Sequence, residues 1–159
     1  EEDGMGYLNI FLGAFLGDLL VKKTAEAKLP MGKRISILGD RIWLRKLHNR
    51  GAAGGFLSDQ PDVLLKSTLG MLASVFGYAV MFLRNGGKKI EKVGAALLLA
   101  GGCCNWFDRV HQGYVTDYFS INCRKEEIRN LVFNLSDFFI FIGTLLMAVG
   151  SLLPGKRKK

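Results

Sequence analysis

Two polar residues near the C-terminal end of the chain have the residue types and the spacing of an acid–base site. Asn134 and Asp137 lie inside the apolar run LVFNLSDFFIFIGTLLMAVGSLL. Asp137 is about two helical turns from the start of this run. A carboxylate at such a position needs a partner or a proton, because an unpaired buried charge is costly. Ionisable residues of membrane spans usually face a bundle interior or a water-filled cavity, so this pair indicates a functional site.

Other polar residues of the same kind lie at or near the ends of further apolar runs. They are Asp18, Lys22, Asn105, Asp108 and Arg109, and Asp117 lies in the loop that joins the third and fourth runs. Two carboxylates that share a low-dielectric site do not both ionise readily, so one keeps its proton while the other acts as a base. Such a pair can activate a water molecule without Ser, Cys or a metal. Spacing alone leaves open which two carboxylates would pair, and Asp18 with Lys22 is equally consistent with a structural ion pair.

Other kinds of chemistry have little support in the sequence. His48 and His111 have no partner at a spacing typical of a nucleophile–base set, and the cysteines form no CxxC pattern. A zinc site therefore has little support, and we predict neither a metal nor a cofactor. Cys103 and Cys104 are interpreted as small residues that fill a helix contact.

Four apolar runs must position the polar residues, and they predict membrane helices. They cover residues 6–21, 63–83, 90–107 and 131–153. The second and fourth have the roughly 20 residues that a bilayer requires, whereas the first and third are shorter and interrupted by polar groups. Four spans would place both termini on one side and both longer loops on the other. The end of the first run, the end of the third and the start of the fourth would then meet at one membrane face.

The two longer polar segments are predicted to lie together outside the membrane. Residues 30–60 contain RISIL and RIWLRKLHN around a Gly39–Asp40 turn signal, which is typical of a β-hairpin. Residues 110–130 are expected to be a loop. The whole chain, residues 1–159, is thus predicted to be a single, mainly α, integral-membrane domain with a small β-sheet.

Basic residues dominate between and after the apolar runs. The net charge is +8, and its distribution favours anionic lipid headgroups over nucleic acid as a partner. Short basic segments mark the cytoplasm, so Arg84, Lys88 and Lys89, together with the basic residues 156–159, predict cytoplasmic termini. Residues 22–62 contain nine Lys and Arg residues, however, and raw counts would favour the opposite orientation.

Four short motifs resemble those of the lipoprotein signal peptidase (signal peptidase II) family. They are GDLLVK (17–22), HNRGAA (48–53), GGCCNWFDRVHQGYVTDY (101–118) and FNLSD (133–137). They occur in the family's order and span most of the chain. The resemblance implies a multi-pass enzyme of the bacterial inner membrane, with four transmembrane helices, a small extracytoplasmic β-cradle and cytoplasmic termini. Its activity would be the removal of the signal peptide from prolipoproteins, by cleavage before a cysteine that carries diacylglycerol.

The same resemblance implies roles for individual residues. Asp117 and Asp137 would be the catalytic dyad of an aspartic endopeptidase. The substrate-positioning residues would be Asn49, Gly101, Asn105, Arg109 and Asn134, and the supporting residues would be Asp18, Lys22 and Asp108. The implied partners are a diacylglyceryl prolipoprotein substrate, membrane lipids and peptide antibiotics of the globomycin type as inhibitors.

Four positions depart from the family's usual pattern. They are Leu19, Gly54, Cys104 and Ser136, where Gln, Phe, Gly and Ala are usual. None removes a proposed catalytic group, but a non-catalytic paralogue that binds lipopeptides is an alternative. A proton-coupled transporter is disfavoured because the carboxylates cluster at one face. On composition alone, the glycine-rich residues 49–57 are equally consistent with an ordinary loop. The resemblance places them beside the dyad, where they are predicted to form a mobile wall.

Overall fold

The computed structural model describes residues 2–84 and 87–154, and it is mainly helical with one small sheet. Its helices are α1 (Glu2–Lys28), α2 (Pro61–Arg84), α3 (Lys89–Gln112), α4 (Glu126–Asn130) and α5 (Leu135–Leu152). The strands β1 (Arg34–Ile37), β2 (Ile42–Asn49) and β3 (Val115–Ile121) form an antiparallel sheet in the order β1-β2-β3. Three helices of the described chain are long and apolar enough to cross a membrane, namely Gly4–Lys28, Pro61–Arg84 and Leu135–Leu152. The turn residues 85–86 and the basic residues 156–159 lie outside the described residues.

Helix α5 begins at Leu135 because Asn134 and Asp137 form a reciprocal cap. Asn134 Oδ1 accepts a hydrogen bond from the backbone N of Asp137 at 3.0 Å, and Asp137 Oδ2 accepts one from the backbone N of Asn134 at 3.0 Å. This capping box satisfies N–H groups that the start of a helix leaves unpaired. The expectation that Asp137 lies about two turns inside a span is therefore wrong, because Asp137 belongs to the first turn of the helix.

Helices α3 and α5 run antiparallel and approach each other closely at glycines. A Cβ atom on Gly94 would lie 2.7 Å from the carbonyl oxygen of Gly143, and one on Gly143 would lie 2.6 Å from that of Gly94. A Cβ atom on Gly101 would collide with the carbonyl oxygen of Ser136. Any side chain at these positions would push the helices apart, so the glycines set the distance between them.

The sheet contains the predicted hairpin, which joins β1 to β2 through a tight turn. Leu38, Gly39 and Asp40 have φ angles of 52°, 64° and 65°. The Asp40 carboxylate closes the turn, because its Oδ1 accepts hydrogen bonds from Ser36 Oγ and Trp43 Nε1, both at 2.7 Å. The Gly39–Asp40 turn predicted from the sequence is thereby confirmed.

Strand β3 lies in a segment that the sequence predicted to be a loop. Within residues 110–130, α3 continues to Gln112, β3 follows, and α4 completes the segment. Strand β3 pairs with β2, with Leu47 opposite Asp117. Asn49 and Asp117, which meet across this pair, are 68 residues apart in the sequence. Local spacing does not reveal a pairing between such distant segments, because register depends on the partner strand.

Candidate active site

Asp117 on β3 and Asp137 at the start of α5 both bind the same asparagine. Asn134 donates from Nδ2 to Asp117 Oδ1 at 2.6 Å and from its backbone N to Asp137 Oδ2 at 3.0 Å. The other two carboxylate oxygens also have donors. Asn49 Nδ2 lies 3.1 Å from Asp117 Oδ2, and Asn105 Nδ2 lies 3.1 Å from Asp137 Oδ1. Each of the four oxygens therefore has an N–H donor and can accept a further hydrogen bond from water or substrate.

Backbone N–H groups fix the orientation of two of these amides. The backbone N of Gly51 donates to Asn49 Oδ1 at 3.0 Å, and the backbone N of Asp137 donates to Asn134 Oδ1 at 3.0 Å. A backbone N–H can only donate, so the amide oxygen must face it. The Nδ2 groups of Asn49 and Asn134 are thereby directed toward Asp117.

The third amide, that of Asn105, is fixed by a buried ammonium group. Lys22 Nζ lies 2.7 Å from Asn105 Oδ1, 3.0 Å from Asp18 Oδ2 and 2.8 Å from Asp108 Oδ2. Lys22 is only 3% exposed and Asp18 is fully buried, so each charge depends on its counter-ion. The predicted ion pair between Asp18 and Lys22 is present. Asp108 is part of the same cluster and is buried.

Asp18 connects α1 to β3 and to the start of α5. The Tyr118 hydroxyl donates to Asp18 Oδ1 at 3.0 Å, and the backbone N of Leu135 donates to the same oxygen at 3.2 Å. The Ser136 hydroxyl donates to Asp18 Oδ2, which the Cys104 thiol approaches to 3.5 Å. Two of the positions that depart from the family's usual pattern, Cys104 and Ser136, thus both contact Asp18.

Arg109 on α3 binds the segment that follows β2. Its Nη2 donates to the carbonyl oxygen of Gly51 at 2.6 Å, and its Nη1 donates to that of Asn105 at 3.3 Å. Gly51 has no room for a side chain, because a Cβ atom would lie 2.6 Å from the carbonyl carbon of Gly55. Arg109 Nε is buried and has no hydrogen-bond partner among the residues that the structure describes. It is therefore a buried donor that the described residues leave unsatisfied.

Gly101 differs from the other predicted substrate-positioning residues because it packs two helices together. It is buried, and a Cβ atom there would meet the carbonyl of Ser136 and lie 3.0 Å from Ile140 Cγ1. Asn105 follows one turn later on α3, so the close approach at Gly101 brings the Asn105 amide within reach of Asp137. A contact between Gly101 and a substrate stays a prediction.

Burial has the largest influence on the proton affinity of Asp117. The residue is 2% exposed, and burial, followed by the negative charge of Asp137, raises the pKa of Asp117 to about 7. The amides of Asn134 and Asn49 oppose this change because they stabilise the charged form. Near neutral pH the Asp117 carboxyl group therefore gains and loses a proton readily, as a general acid or base must.

The two carboxylates lie at the polar end of an otherwise apolar cleft of ≈ 620 Å³. Its polar lining includes Asn49, Asn105, Arg109, Asp117, Asn134 and Asp137. Apolar side chains of α2, α3 and α5, such as Leu64, Leu98 and Ile140, form its walls. A cleft of this kind can hold an apolar chain while it presents one bond to the carboxylates. Within the described ranges, no group of three or more His, Cys, Asp or Glu side chains is placed to hold a metal ion.

A second polar cluster, which the sequence did not predict, joins the end of α1 to strands β2 and β3. Glu26 Oε1 near the end of α1 accepts a hydrogen bond from Thr116 Oγ1 at 2.8 Å and lies 2.7 Å from His48 Nε2. His48 and Thr116 are paired across β2 and β3, and each directly precedes a site residue, Asn49 or Asp117. Glu26 therefore holds together the two strands that carry this part of the site. Its partners are 22 and 90 residues away, so no local pattern indicates the cluster.

Comparisons with known proteins agree over nearly the whole chain. The family model described as Signal peptidase (SPase) II matches residues 10–153. The lipoprotein signal peptidase of Clostridium acetobutylicum is 32% identical over 143 residues, which are 90% of this chain and 91% of that protein. The lipoprotein signal peptidase of a Haemophilus influenzae strain is 29% identical over 160 residues, which are 99% of this chain and 92% of that protein.

The fold also matches a solved structure. A bacterial membrane enzyme superposes with a TM-score of 0.79 at 22% sequence identity, covering 97% of this chain and 92% of that chain. The apolar helices of the present chain are those of a membrane protein. Its carboxylates and the asparagines that bind them all lie between residues 10 and 153, the part that the family model matches. The chain belongs to the signal peptidase II family.

Proposed function

We propose that the protein removes signal peptides from bacterial prolipoproteins and that it is an aspartic endopeptidase with Asp117 and Asp137 as its dyad. The observation that carries this proposal is that two carboxylates share Asn134 at the polar end of an apolar cleft. Relatives that match most of the chain are named lipoprotein signal peptidases. The substrate is a diacylglyceryl-modified prolipoprotein, and the bond that breaks is the peptide bond before the lipidated cysteine.

In the proposed mechanism Asp117 carries the proton and Asp137 is ionised. A pKa of about 7 supports a protonated Asp117 near neutral pH. Asp137 receives a backbone N–H at the start of α5, where the partial positive charge of the helix end stabilises an anion. Asp137 takes a proton from water, and the water oxygen attacks the scissile carbonyl carbon while Asp117 protonates the carbonyl oxygen. When the C–N bond breaks, Asp137 gives its proton to the leaving nitrogen and Asp117 recovers its own.

The surrounding residues have positions that suit substrate binding. The apolar walls of the cleft can hold the hydrophobic segment of a signal peptide, which brings the bond to be cleaved to the polar end. Arg109 supports this arrangement, because it lines the cleft and its Nη2 group holds the carbonyl oxygen of Gly51. We assign the positioning of the substrate backbone to the predicted set, which is Asn49, Gly101, Asn105, Arg109 and Asn134.

Four membrane spans, namely α1, α2, α3 and α5, are part of the proposal. Leu20, Met81 and Phe141 on three of these helices are 65%, 48% and 68% exposed, as side chains that face lipid would be. Helix α3 has no charged residue between Lys92 and Asp108, and its 24 residues extend about 36 Å, enough to cross a bilayer. The bundle lies in the bacterial inner membrane as a single domain, with both termini in the cytoplasm and the sheet at the extracytoplasmic face.

The decisive experiment replaces each member of the dyad with its uncharged isostere. Asp117→Asn and Asp137→Asn should each lower turnover of a purified diacylglyceryl prolipoprotein by at least about a hundredfold, because an amide cannot cycle a proton. Cleavage is followed by the mass shift of the product, and thermal unfolding in detergent checks that the variants fold. Asp59→Asn is the matched control, because Asp59 is exposed and lies outside the site.

The same experiment separates the proposal from its alternative. A non-catalytic paralogue would bind the lipidated substrate but would not cleave it, even with both aspartates present. Substantial turnover by either isosteric variant would reject the dyad and with it the aspartic mechanism.

A further inference from the structure

The ammonium group of Lys22 is enclosed by acceptors. Its Nζ donates to Asn105 Oδ1 at 2.7 Å and to the Cys104 sulfur at 3.7 Å, and it forms ion pairs with Asp18 Oδ2 at 3.0 Å and Asp108 Oδ2 at 2.8 Å. The two carboxylates stabilise the charged form of the buried lysine. A charged lysine can donate hydrogen bonds but cannot accept them. The amide atom that faces Lys22 must therefore be the oxygen of Asn105.

Because the oxygen of Asn105 faces Lys22, the Nδ2 group faces Asp137. It donates to Asp137 Oδ1 at 3.1 Å. Backbone N–H groups fix the amides of Asn49 and Asn134, and these bind Asp117. Asn105 is thus the amide of the three whose orientation depends on another side chain. It is also the amide whose side chain donates to Asp137.

From these contacts we propose that Lys22 is a positioning residue for the reaction: it locks the Asn105 amide so that Nδ2 always donates to Asp137. The inference rests on the proposed function, in which Asp137 is the base. Without a donor at Lys22, the amide is free to turn and to present its oxygen to Asp137. That orientation suits only a protonated Asp137, because two acceptors repel each other. Lys22 therefore keeps Asp137 ready to accept a proton, although it contacts neither the substrate nor the reacting atoms.

The test must remove Lys22 without leaving an excess of buried negative charge. Lys22→Met combined with Asp108→Asn does so, because one positive and one negative group are lost together. Asp18 keeps its hydrogen bonds from Tyr118, Ser136 and Leu135 in this variant. Asp108→Asn alone is the reference, and Lys23→Met is the matched control because Lys23 is the exposed neighbour of Lys22.

The charge-balanced variant should lower kcat by about tenfold to a hundredfold relative to Asp108→Asn, with a smaller change in KM, because Asn49, Arg109 and Asn134 keep their positions. The acidic limb of its pH–rate profile should move to higher pH, since Asp137 now protonates more readily. In an Asn105→Ala background, the same change at Lys22 should alter kcat by less than about twofold, because the residue through which it acts is absent. Lys23→Met should leave both kcat and the profile unchanged.

A purely structural role for Lys22 predicts a different pattern. The value of kcat would then fall in proportion to the folded fraction, the acidic limb would not move, and the effect would persist without Asn105; each of these results overturns the proposal. If the charge-balanced variant does not fold, Lys22→Arg provides the second test. Arginine also only donates hydrogen bonds, so the acidic limb of the pH–rate profile should keep its position. A shift of this limb toward higher pH would contradict the proposal that Lys22 fixes the Asn105 amide. Turnover by Asp137→Asn would instead refute the proposed function.

Discussion

Asn134 and Asp137 use the same hydrogen bonds to begin helix α5 and to hold the proposed dyad together. The bond from the backbone N of Asn134 to Asp137 Oδ2 caps the helix and binds a candidate catalytic oxygen. The Asn134 side chain accepts from Asp137 and donates to Asp117. A change at either residue will therefore disturb the start of the helix and the site together. Stability must be measured beside activity in every variant of this pair.

The buried carboxyl group of Asp117 should make the protein less stable as the pH rises. Its native pKa of about 7 lies above the unfolded value of about 3.9, so the native state binds the proton more tightly. This contribution is complete below about pH 4 and is lost as the pH rises through about 7. It amounts to about 4 kcal/mol at most. Asp117→Asn cannot titrate, so the pH dependence of thermal unfolding in detergent should be weaker for this variant between about pH 5 and 8.5.

Two comparisons make this test specific to Asp117. Asp59→Asn should keep the pH dependence of the unmodified protein, because Asp59 is exposed. The absolute stability of Asp117→Asn is a poorer measure, since its new NH₂ group would face the NH₂ group of Asn49 or Asn134. If the unfolding temperature changes with pH equally in the variant and in the unmodified protein, another group causes the pH dependence of stability.

Sequence reasoning identified Asn105, Asn134 and Asp137 because a bilayer makes polar groups conspicuous in apolar runs, whereas Asn49 and the choice of Asp117 with Asp137 as the dyad came from the resemblance to the family. It could not identify Tyr118 or Ser136, whose hydroxyl groups donate to Asp18. Hydroxyl residues are common in membrane helices and strands, and spacing does not show which of them meet a carboxylate. It also placed Asp137 too deep in α5, because the apolar residues 131–133 precede the helix and are not part of it.

At the scale of secondary structure elements, the contact between α3 and α5 sets the distance between Asn105 and Asp137. Gly143→Ala should separate the two helices, because its Cβ atom would lie 2.6 Å from the carbonyl oxygen of Gly94 and 2.6 Å from the backbone N of Leu98. Overpacking of this kind costs about 1–3 kcal/mol. A displacement of about 1 Å at the dyad can lower turnover by about a hundredfold. Both thermal stability and kcat should therefore fall, and they can be measured on the same purified sample.

Gly77→Ala is the matched control for the helix contact. Gly77 lies on α2, and a Cβ atom added there would have nothing within 4 Å, so alanine should be neutral or stabilise the helix. If Gly143→Ala were as stable and as active as Gly77→Ala, the glycine contact would not control the site.

The glycine-rich segment after β2 has a structural requirement that its composition did not reveal. Gly54 and Gly55 have φ angles of 67° and 81°, which favour glycine. Replacing both with alanine would strain the backbone whether or not the segment moves, so such a variant cannot test the predicted mobile wall. Arg109 holds the segment through the carbonyl of Gly51. The mobile wall therefore stays a prediction.

At the scale of the whole molecule, the basic residues between positions 22 and 62 oppose the orientation that the short basic turn between α2 and α3 predicts. Lys22 is buried with two carboxylates, Lys46 lies 3.3 Å from Glu26, and Arg34 lies over the ring of Trp43 at 4.2 Å. These side chains belong to a folded segment, whereas the positive-inside rule applies to short loops. The predicted orientation therefore depends on Arg84, Lys88 and Lys89 between α2 and α3, and on the resemblance to the family.

The number of membrane crossings depends on helix α3. The other three long helices are apolar enough to be recognised as spans, whereas both ends of α3 carry charges. Arg84 and Cys123 lie on either side of α3 in the sequence. In right-side-out vesicles, a membrane-impermeant maleimide should label Cys123, while Cys123→Ser should abolish this signal because Cys104 is buried and Cys103 lies within the helix. In the Cys123→Ser background, Arg84→Cys should be labelled only after permeabilisation. Labelling of both positions from one side would show that α3 does not cross, and the reverse pattern would invert the proposed orientation.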